Sequence, residues 1–373
     1  MTEDLMTAAF TPGTIDDTAV VASTARRTQL REHLLRLDVQ GALVYSPRRS
    51  AVTWLTGYAP GFISNSAALW LPVDGPPALG VEFPFEVERA RRYGLNTMPM
   101  SSPLDLVPEG IDRIGLLAGD LVIDERPPAL LDGLASRLIR HVDLAAWAME
   151  TRERKTEPEL RLLTHAAPIG DLALRAAGDT AVVGERDYEI AARVEAAARA
   201  AGALRCLCLV GIGDGAVITE ASGVTVGRDQ QVGLEVSLYA SGAFMHVNTT
   251  LLPAMPRPVD LRAVGAVRAA RAALIDALRP GRAVTAVVAA GDAVLDEHGL
   301  LEFKEYDFGH GLGCDTPEHP RLLHETDRTI AAGAVVAVHV AVRRPGGESA
   351  MIGGPVVIAE DGAHELVPDA VWA

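Results

Sequence analysis

The chain has 373 residues, with 34 Lys or Arg against 49 Asp or Glu, a formal charge of −15. An apolar share of 49% beside 22% charged residues excludes a mainly disordered chain. The negative balance, with no compensating basic patch, argues against nucleic acid and membrane surfaces as partners, and at roughly 150 residues per domain the length allows two or three cores.

Residues 1–24 read as a tail, without the basic start and apolar stretch of a secretory signal. From Ala25 to Leu37 the spacing of Leu30, Leu34, Leu35 and Leu37 predicts an amphipathic helix, and Gly41–Tyr45 a buried strand. Strands at 67–72 and 114–117, alternating with helices at 85–93 and 128–139, make residues 25–150 a small α/β domain. The charged run TRERKTEPE at 151–159 marks a boundary and opens a second domain, 151–373. Thr156 and Glu159, three apart around Pro158, cap a helix running to about Ala177. A second helix spans Arg186 to Ala201, with Ile190, Val194 and Ala198 on one face and Gly202 as its stop.

Strands follow at 205–211, 232–239 and 243–252. Cys206 and Cys208 share one face of the first and read as small buried hydrophobes; with Cys314 they are too few for a disulfide framework. Helices at 263–278 and 285–297, split by Pro280-Gly281, precede strands at 303–308, 334–342 and 351–359, closed by a turn at 360–362. The longest apolar run, 330–342, is too short to span a bilayer and contains His339. The expected location is the cytoplasm. Helix pair, β structure, helix pair, β structure is an approximate duplication, so the expected fold class is α+β: a pseudo-symmetric domain with a curved sheet covered by two helix pairs.

Val210-Gly-Ile-Gly-Asp-Gly215 has the wrong spacing and no following helix for a dinucleotide turn, and reads as a structural glycine loop. No P-loop, nucleophile elbow or H-E-x-x-H helix is present. Four polar residues interrupt or adjoin apolar strands: Glu235, His246, His310 and His339. An unpaired buried polar group costs roughly 2–7 kcal/mol, so mutual contact is the cheapest joint solution. Together they would hold one zinc, iron or manganese ion, or form a metal-free acid/base network. Glycines on both sides of His310 let the backbone approach closely and free the imidazole to face a cavity. Glu318 and His319 beside that loop read as proton-shuttling and substrate-contacting residues or as solvated loop residues. Glu220 reads as a general base or an exposed turn residue, and Tyr239 as a substrate contact on the Glu235 strand.

These motifs carry a family resemblance. Arg154-Lys-Thr-Glu-Pro-Glu-Leu160, Glu185-Arg-Asp-Tyr-Glu-Ile190, Arg279-Pro-Gly281, Gly309-His-Gly-Leu-Gly313, Gly333-Ala-Val-Val336 and Val357-Ile-Ala-Glu-Asp-Gly362 together resemble the pita-bread family of creatinase, prolidase and aminopeptidase P. Ala42-Leu-Val-Tyr45 and Thr53-Trp-Leu-Thr-Gly-Tyr58 resemble that family's N-terminal domain. The resemblance implies a pita-bread domain behind a creatinase-type α/β domain, a homodimer, and in metal-dependent members two ions held by two aspartates, one histidine and two glutamates. Those positions fall on Glu235, His246, His310, His339 and Gly353. The family's shuttle histidine falls on Pro317 and its glycine-loop histidine on Glu220.

Only one carboxylate survives, so a two-metal centre is not expected, and at most one divalent ion is. The leading expectation is C–N hydrolysis of a small amino-acid derivative or dipeptide-like substrate, with Glu220 or Glu235 as base. His310 with His339 would polarise the carbonyl and protonate the leaving nitrogen. One metal on Glu235, His246, His310 and His339 is the rival mechanism, open also to oxidative or lyase chemistry. A non-catalytic peptide- or protein-binding module is the third reading.

Overall fold

The structure is a computed structural model that describes residues 12–46, 50–61, 66–118, 127–315, 317–324, 326–368 and 370–372. These residues form two units, one running to Arg152 and including 156–162, the other comprising Glu153–Lys155 and Leu163 onward. No helix among the described residues is long and apolar enough to cross a membrane.

The first unit begins with helix α1 (Pro12–Leu37), followed by β1 (Gly41–Ser46), α2 (Ser50–Thr56), β2 (Ala67–Pro72), β3 (Ala78–Val81) and α3 (Val87–Arg91). Strands β4 (Asn96–Pro99) and β5 (Arg113–Ala118), helix α4 (Pro128–Ser136), β6 (Arg140–Asp143) and α5 (Ala145–Glu153) complete it. The sheet order is β4-β3-β2-β1-β5-β6, with β1 antiparallel to β2 and parallel to β5. Its core gathers Leu43, Trp70, Ile114, Leu116 and Leu134.

Helix α1 starts well before the expected Ala25, and 12–24 is helical rather than tail; residues 1–11 lie outside the described residues. Ala19, Ala22, Arg26, Leu30 and Leu34 are all buried at spacings of three and four, so one helical stripe continues through small residues that the leucine pattern alone does not reveal. Glu159 anchors this unit. It accepts hydrogen bonds from Trp54 Nε1 at 2.9 Å and Arg26 Nε at 3.1 Å, and from Thr156 N and Oγ1 at 2.7 and 2.8 Å. The capping role expected for Thr156 and Glu159 therefore extends to a buried ion pair.

The second unit holds α6 (Glu157–Arg175, from Leu163), α7 (Asp187–Ala200), β7 (Arg205–Ile212), β8 (Val232–Ala240), β9 (Ala243–Leu251), α8 (Pro258–Ala277) and α9 (Val284–Glu297). Strands β10 (Gly309–Gly311), β11 (Glu318–Arg321), β12 (Val335–Arg343), β13 (Ser349–Ala359) and β14 (Gly362–Glu365) follow. The sheet runs β11-β10-β12-β13-β9-β8-β7, with β14 on β13. The two halves of the duplication meet where Gly353 of β13 pairs with Asn248 of β9. Along β8, Val232, Leu234, Val236 and Leu238 are buried and alternate with the more open Gly233, Glu235, Ser237 and Tyr239, so the strand has one apolar face and one that carries function.

The strand expected over 303–308 does not form. Leu301–Phe303 is a 3₁₀ turn, and only Lys304 bridges to β12. The segment's charges instead reach three different elements: Lys304 to Asp292 at 2.7 Å, Glu305 to Arg343 at 2.6 Å and Asp307 to Arg321 at 2.7 Å. Ladder pairing starts at Gly309, where a Cβ would stand 2.1 Å from the Ala337 carbonyl oxygen at a φ of +144°.

Glu159→Ala should destabilise the protein by about 3–5 kcal/mol, because it removes the countercharge of buried Arg26 together with the α6 cap. Chemical denaturation checks this, and a loss below about 1 kcal/mol would show that Glu159 anchors nothing.

Candidate functional site

Sheet register decides what meets here. His339 of β12 pairs with Gly353 of β13, Gly353 with Asn248 of β9, and Asn248 with Glu235 of β8, one continuous cross-strand row. The neighbouring row, two residues along, contains Ser237 opposite His246, and Ala337 opposite His310. Because side chains alternate with period two, both rows face the same side. Glu235 lies in the His339 row, and Ser237 directly opposite His246.

The three imidazoles converge. His246 Nδ1 lies 3.0 Å from His310 Nε2, with the rings stacked at 14° and 5.2 Å between centroids. The His339 ring is 5.2 Å from His246 and 5.4 Å from His310. One nitrogen from each of the three lies within 4.8 Å of the others. Glu235 stands beside this group rather than within it, with Oε1 3.5 Å from His246 Nε2.

Proton bookkeeping shows what such a group is suited to. Geometry assigns the His310 Nδ1 proton to the Gly311 carbonyl at 3.1 Å, leaving the Nε2 lone pair toward His246. If His246 Nδ1 donates to that lone pair, His246 Nε2 presents its own lone pair to the Glu235 carboxylate. Nε2 of His246 and both ring nitrogens of His339 are buried without a hydrogen-bond partner among the described residues. A cation among these atoms removes the conflict. In a tetrahedral site, metal–nitrogen bonds of about 2.0–2.1 Å put neighbouring ligand nitrogens roughly 3.3–3.4 Å apart, so the His246–His310 pair, at 3.0 Å, would open by a few tenths of an ångström to hold an ion.

Burial is the main cause of the electrostatics. Desolvation, reinforced by His246, pushes His310 down to about 4. His339 goes well below the usual imidazole value through desolvation and the nearby His246 and His310. Burial alone would raise Glu235, but its contact with His246 and the proximity of His310 outweigh it and hold the carboxyl below its ordinary value. His310 and His339 are therefore neutral at physiological pH, with the Glu235 carboxylate beside the group.

Such a set fits one divalent ion and not two. Two ions bring four positive charges against Glu235 and an Asp307 that already pairs with Arg321 at 2.7 Å. A side chain at Gly353 is also sterically excluded, since its Cβ would stand 2.3 Å from His339 Cβ and 2.7 Å from Asn248 Oδ1.

Other expected residues lie elsewhere. Glu318, expected at the substrate, is buried in an ion pair with Lys155 at 2.9 Å, the two side chains 3% and 2% exposed. Its carboxylate occupies the space a Cβ at Gly313 would need, so it braces the glycine loop. Glu220 is exposed and makes no contact with the histidine group among the described residues. His319 is half-buried, held down by desolvation and by Arg328, and its carbonyl packs on Gly311, outside the group. Tyr239 lies on the Glu235 face at the far end of β8, opposite Phe244. Cys206 and Cys208 are pushed up to about 12 by burial, as inert core thiols are.

Two site residues escape sequence reasoning. Asn248 is 1% exposed with both amide atoms unpartnered, and its only signal is its place two residues after His246. Asp307, 3.9 Å from His339 Nε2, lies in the segment wrongly expected to be a strand.

Residues 161–360 match the family model of metallopeptidase family M24. The chain is 24% identical over 216 residues to an Xaa-Pro dipeptidase of Pyrococcus furiosus, a match covering 57% of this chain and 62% of that protein, less than two thirds of its length. It is 36% identical over 107 residues, 27% of the chain and 28% of the relative, to a probable dipeptidase PepE of Mycobacterium tuberculosis. Its fold is that of the prolidase from Pyrococcus horikoshii, with a TM-score of 0.81 at 17% identity over 94% of this chain and 100% of that one. Dipeptidase PepE from Mycobacterium ulcerans superposes with a TM-score of 0.74 at 22% identity over 93% of this chain and 96% of that one.

Glu318→Gln should cost about 3–5 kcal/mol of stability by removing the countercharge of buried Lys155. Unchanged melting would return Glu318 to the substrate. Metal-free protein should also lose stability as pH falls from about 6.5, where unfolded histidine takes its proton, toward about 4, where native His310 does. The native pKa is depressed, so stability is retained above that window, and the loss through His310 is on the order of 3 kcal/mol. Melting curves across the window check this, and His310→Gln should flatten the profile.

Proposed function

This chain belongs to metallopeptidase family M24, and on that premise we propose that it hydrolyses a C–N bond in a small amino-acid derivative or dipeptide-like molecule. Its centre holds one divalent ion on His246, His310 and His339, with Glu235 beside it. The observation that carries this reading is the convergence of three imidazole nitrogens within 4.8 Å, around a His339 whose two nitrogens have no hydrogen-bond partner among the described residues. The dipeptidase names of the relatives support the bond class.

A divalent ion there supplies Lewis acidity toward a carbonyl and eases ionisation of a water. The residues do the rest. His310, with its Nδ1 proton fixed on the Gly311 carbonyl, is oriented as a ligand. Protonation of the leaving nitrogen does not suit His310 or His339, because burial keeps both neutral at physiological pH. Glu235 is ionised and reaches only His246 of the group, so it takes the proton from water and returns it to the leaving nitrogen.

Protein stripped by chelation and reloaded with zinc, manganese or ferrous iron should take up one equivalent per chain and gain turnover on a panel of dipeptides and N-acyl amino acids. His310→Ala should lose metal uptake. Glu235→Gln should keep it while turnover falls about 10²–10⁴-fold. Uptake of two equivalents, or full turnover in stripped protein, would refute the reading.

A further inference from the structure

Tyr306 packs edge-on against His339, with ring centroids 5.2 Å apart at 73°. Its hydroxyl is buried and has no hydrogen-bond partner among the described residues. Burial, together with the carboxylates of Glu235 and of its chain neighbours Glu305 and Asp307, raises the pKa of the phenol. Those neighbours are engaged elsewhere, Glu305 with Arg343 at 2.6 Å and Asp307 with Arg321 at 2.7 Å. A phenylalanine would fill the same volume without the cost of burying an unpaired hydroxyl. The hydroxyl is therefore unfavourable for the fold and placed where the proposed chemistry happens.

We propose that Tyr306 is the hydrogen-bond donor of this site toward substrate, its hydroxyl taking the oxygen of a carboxylate or amide carbonyl held beside His339 and Glu235. The inference rests on the histidine group being a metal centre. One divalent ion with three neutral imidazoles and one carboxylate leaves a single positive charge, which favours a ligand presenting a negative or strongly polarised oxygen. The substrate class follows: a small molecule whose reacting end carries such an oxygen, bound between the cation and the phenol. The donor is positioned before the substrate arrives, the condition under which a hydrogen bond to developing negative charge is most effective.

The test uses cobalt(II)-loaded protein titrated with acetate and followed by visible absorption, beside Tyr306→Phe. Both proteins should bind one cobalt per chain. Acetate should give a saturable shift in the wild type, with an apparent Kd about tenfold higher in Tyr306→Phe, as expected when a hydrogen bond to a charged oxygen is lost. The variant should melt at the same temperature or higher, since it sheds an unpaired hydroxyl. Equal acetate affinity in the two proteins, no saturable acetate response in the wild type, or a lower melting temperature in the variant overturns the inference while the metal centre stands. Failure of cobalt to bind the wild type overturns the metal centre, and the inference with it.

Discussion

Three imidazoles packed with ring centroids 5.2–5.4 Å apart, on a sheet face where His339 is fully enclosed, cannot all carry charge. Taking one imidazolium out of water is costly, and a second at that distance adds repulsion in a medium that screens it poorly. Neutrality is thus imposed by packing, and it determines the chemistry. Neutral imidazoles are good ligands and poor acids, so in the proposed reaction proton transfer falls to Glu235, the carboxylate beside His246. The role of each residue follows from where water is excluded.

Antiparallel pairing converts that local condition into a site. Glu235 and His339 lie 104 residues apart in sequence, yet the register makes them the ends of one row through Asn248 and Gly353. A slip of one residue in any of the three pairings would turn a member of the row toward the helices, where the opposite face of β8 is wholly apolar. The hydrophobic alternation that keeps the sheet in register therefore also aligns the ligands. Gly353, as the member without a side chain, lets its neighbours in the row approach closely. The apolar packing of the far face thus holds the polar geometry of the near one.

Much of this was legible in the sequence, for identifiable reasons. The helices of the second unit and strands β7, β8, β9, β12 and β13 follow apolar periodicity, which register and burial reproduce. Glu235, His246, His310 and His339 stood out because each interrupts an apolar run or sits between glycines. What escaped has no such contrast. The first half of α1 buries alanines, whose small side chains leave a weak periodic signal. Strands β10 and β11 are short and glycine- or proline-bearing, and exist only where particular backbones approach closely. Glu318 looked available in a loop, whereas its partner Lys155 lies 163 residues away in a segment that read as a linker. Long-range ion pairs have no local signature, which is also why Glu220 and Glu318 could not be told apart before the fold was known.

The proposed exchange of acidic ligands for imidazoles would also change how metal affinity relates to folding. A cage of several carboxylates repels itself when empty, so part of the ion's binding free energy goes into holding the cage together. Neutral rings that stack on one another have little such repulsion, and here they pack as a continuation of the core. The remaining strain is of another kind: Asn248, His339 and Tyr306 each bury polar atoms that no protein group satisfies, at about 1–3 kcal/mol apiece. Since apolar residues of similar shape would relieve it, this cost is concentrated where hydrogen bonds or coordination to a bound species can offset it. The same fold can therefore stay stable with an empty centre while keeping the directed polarity that a ligand needs.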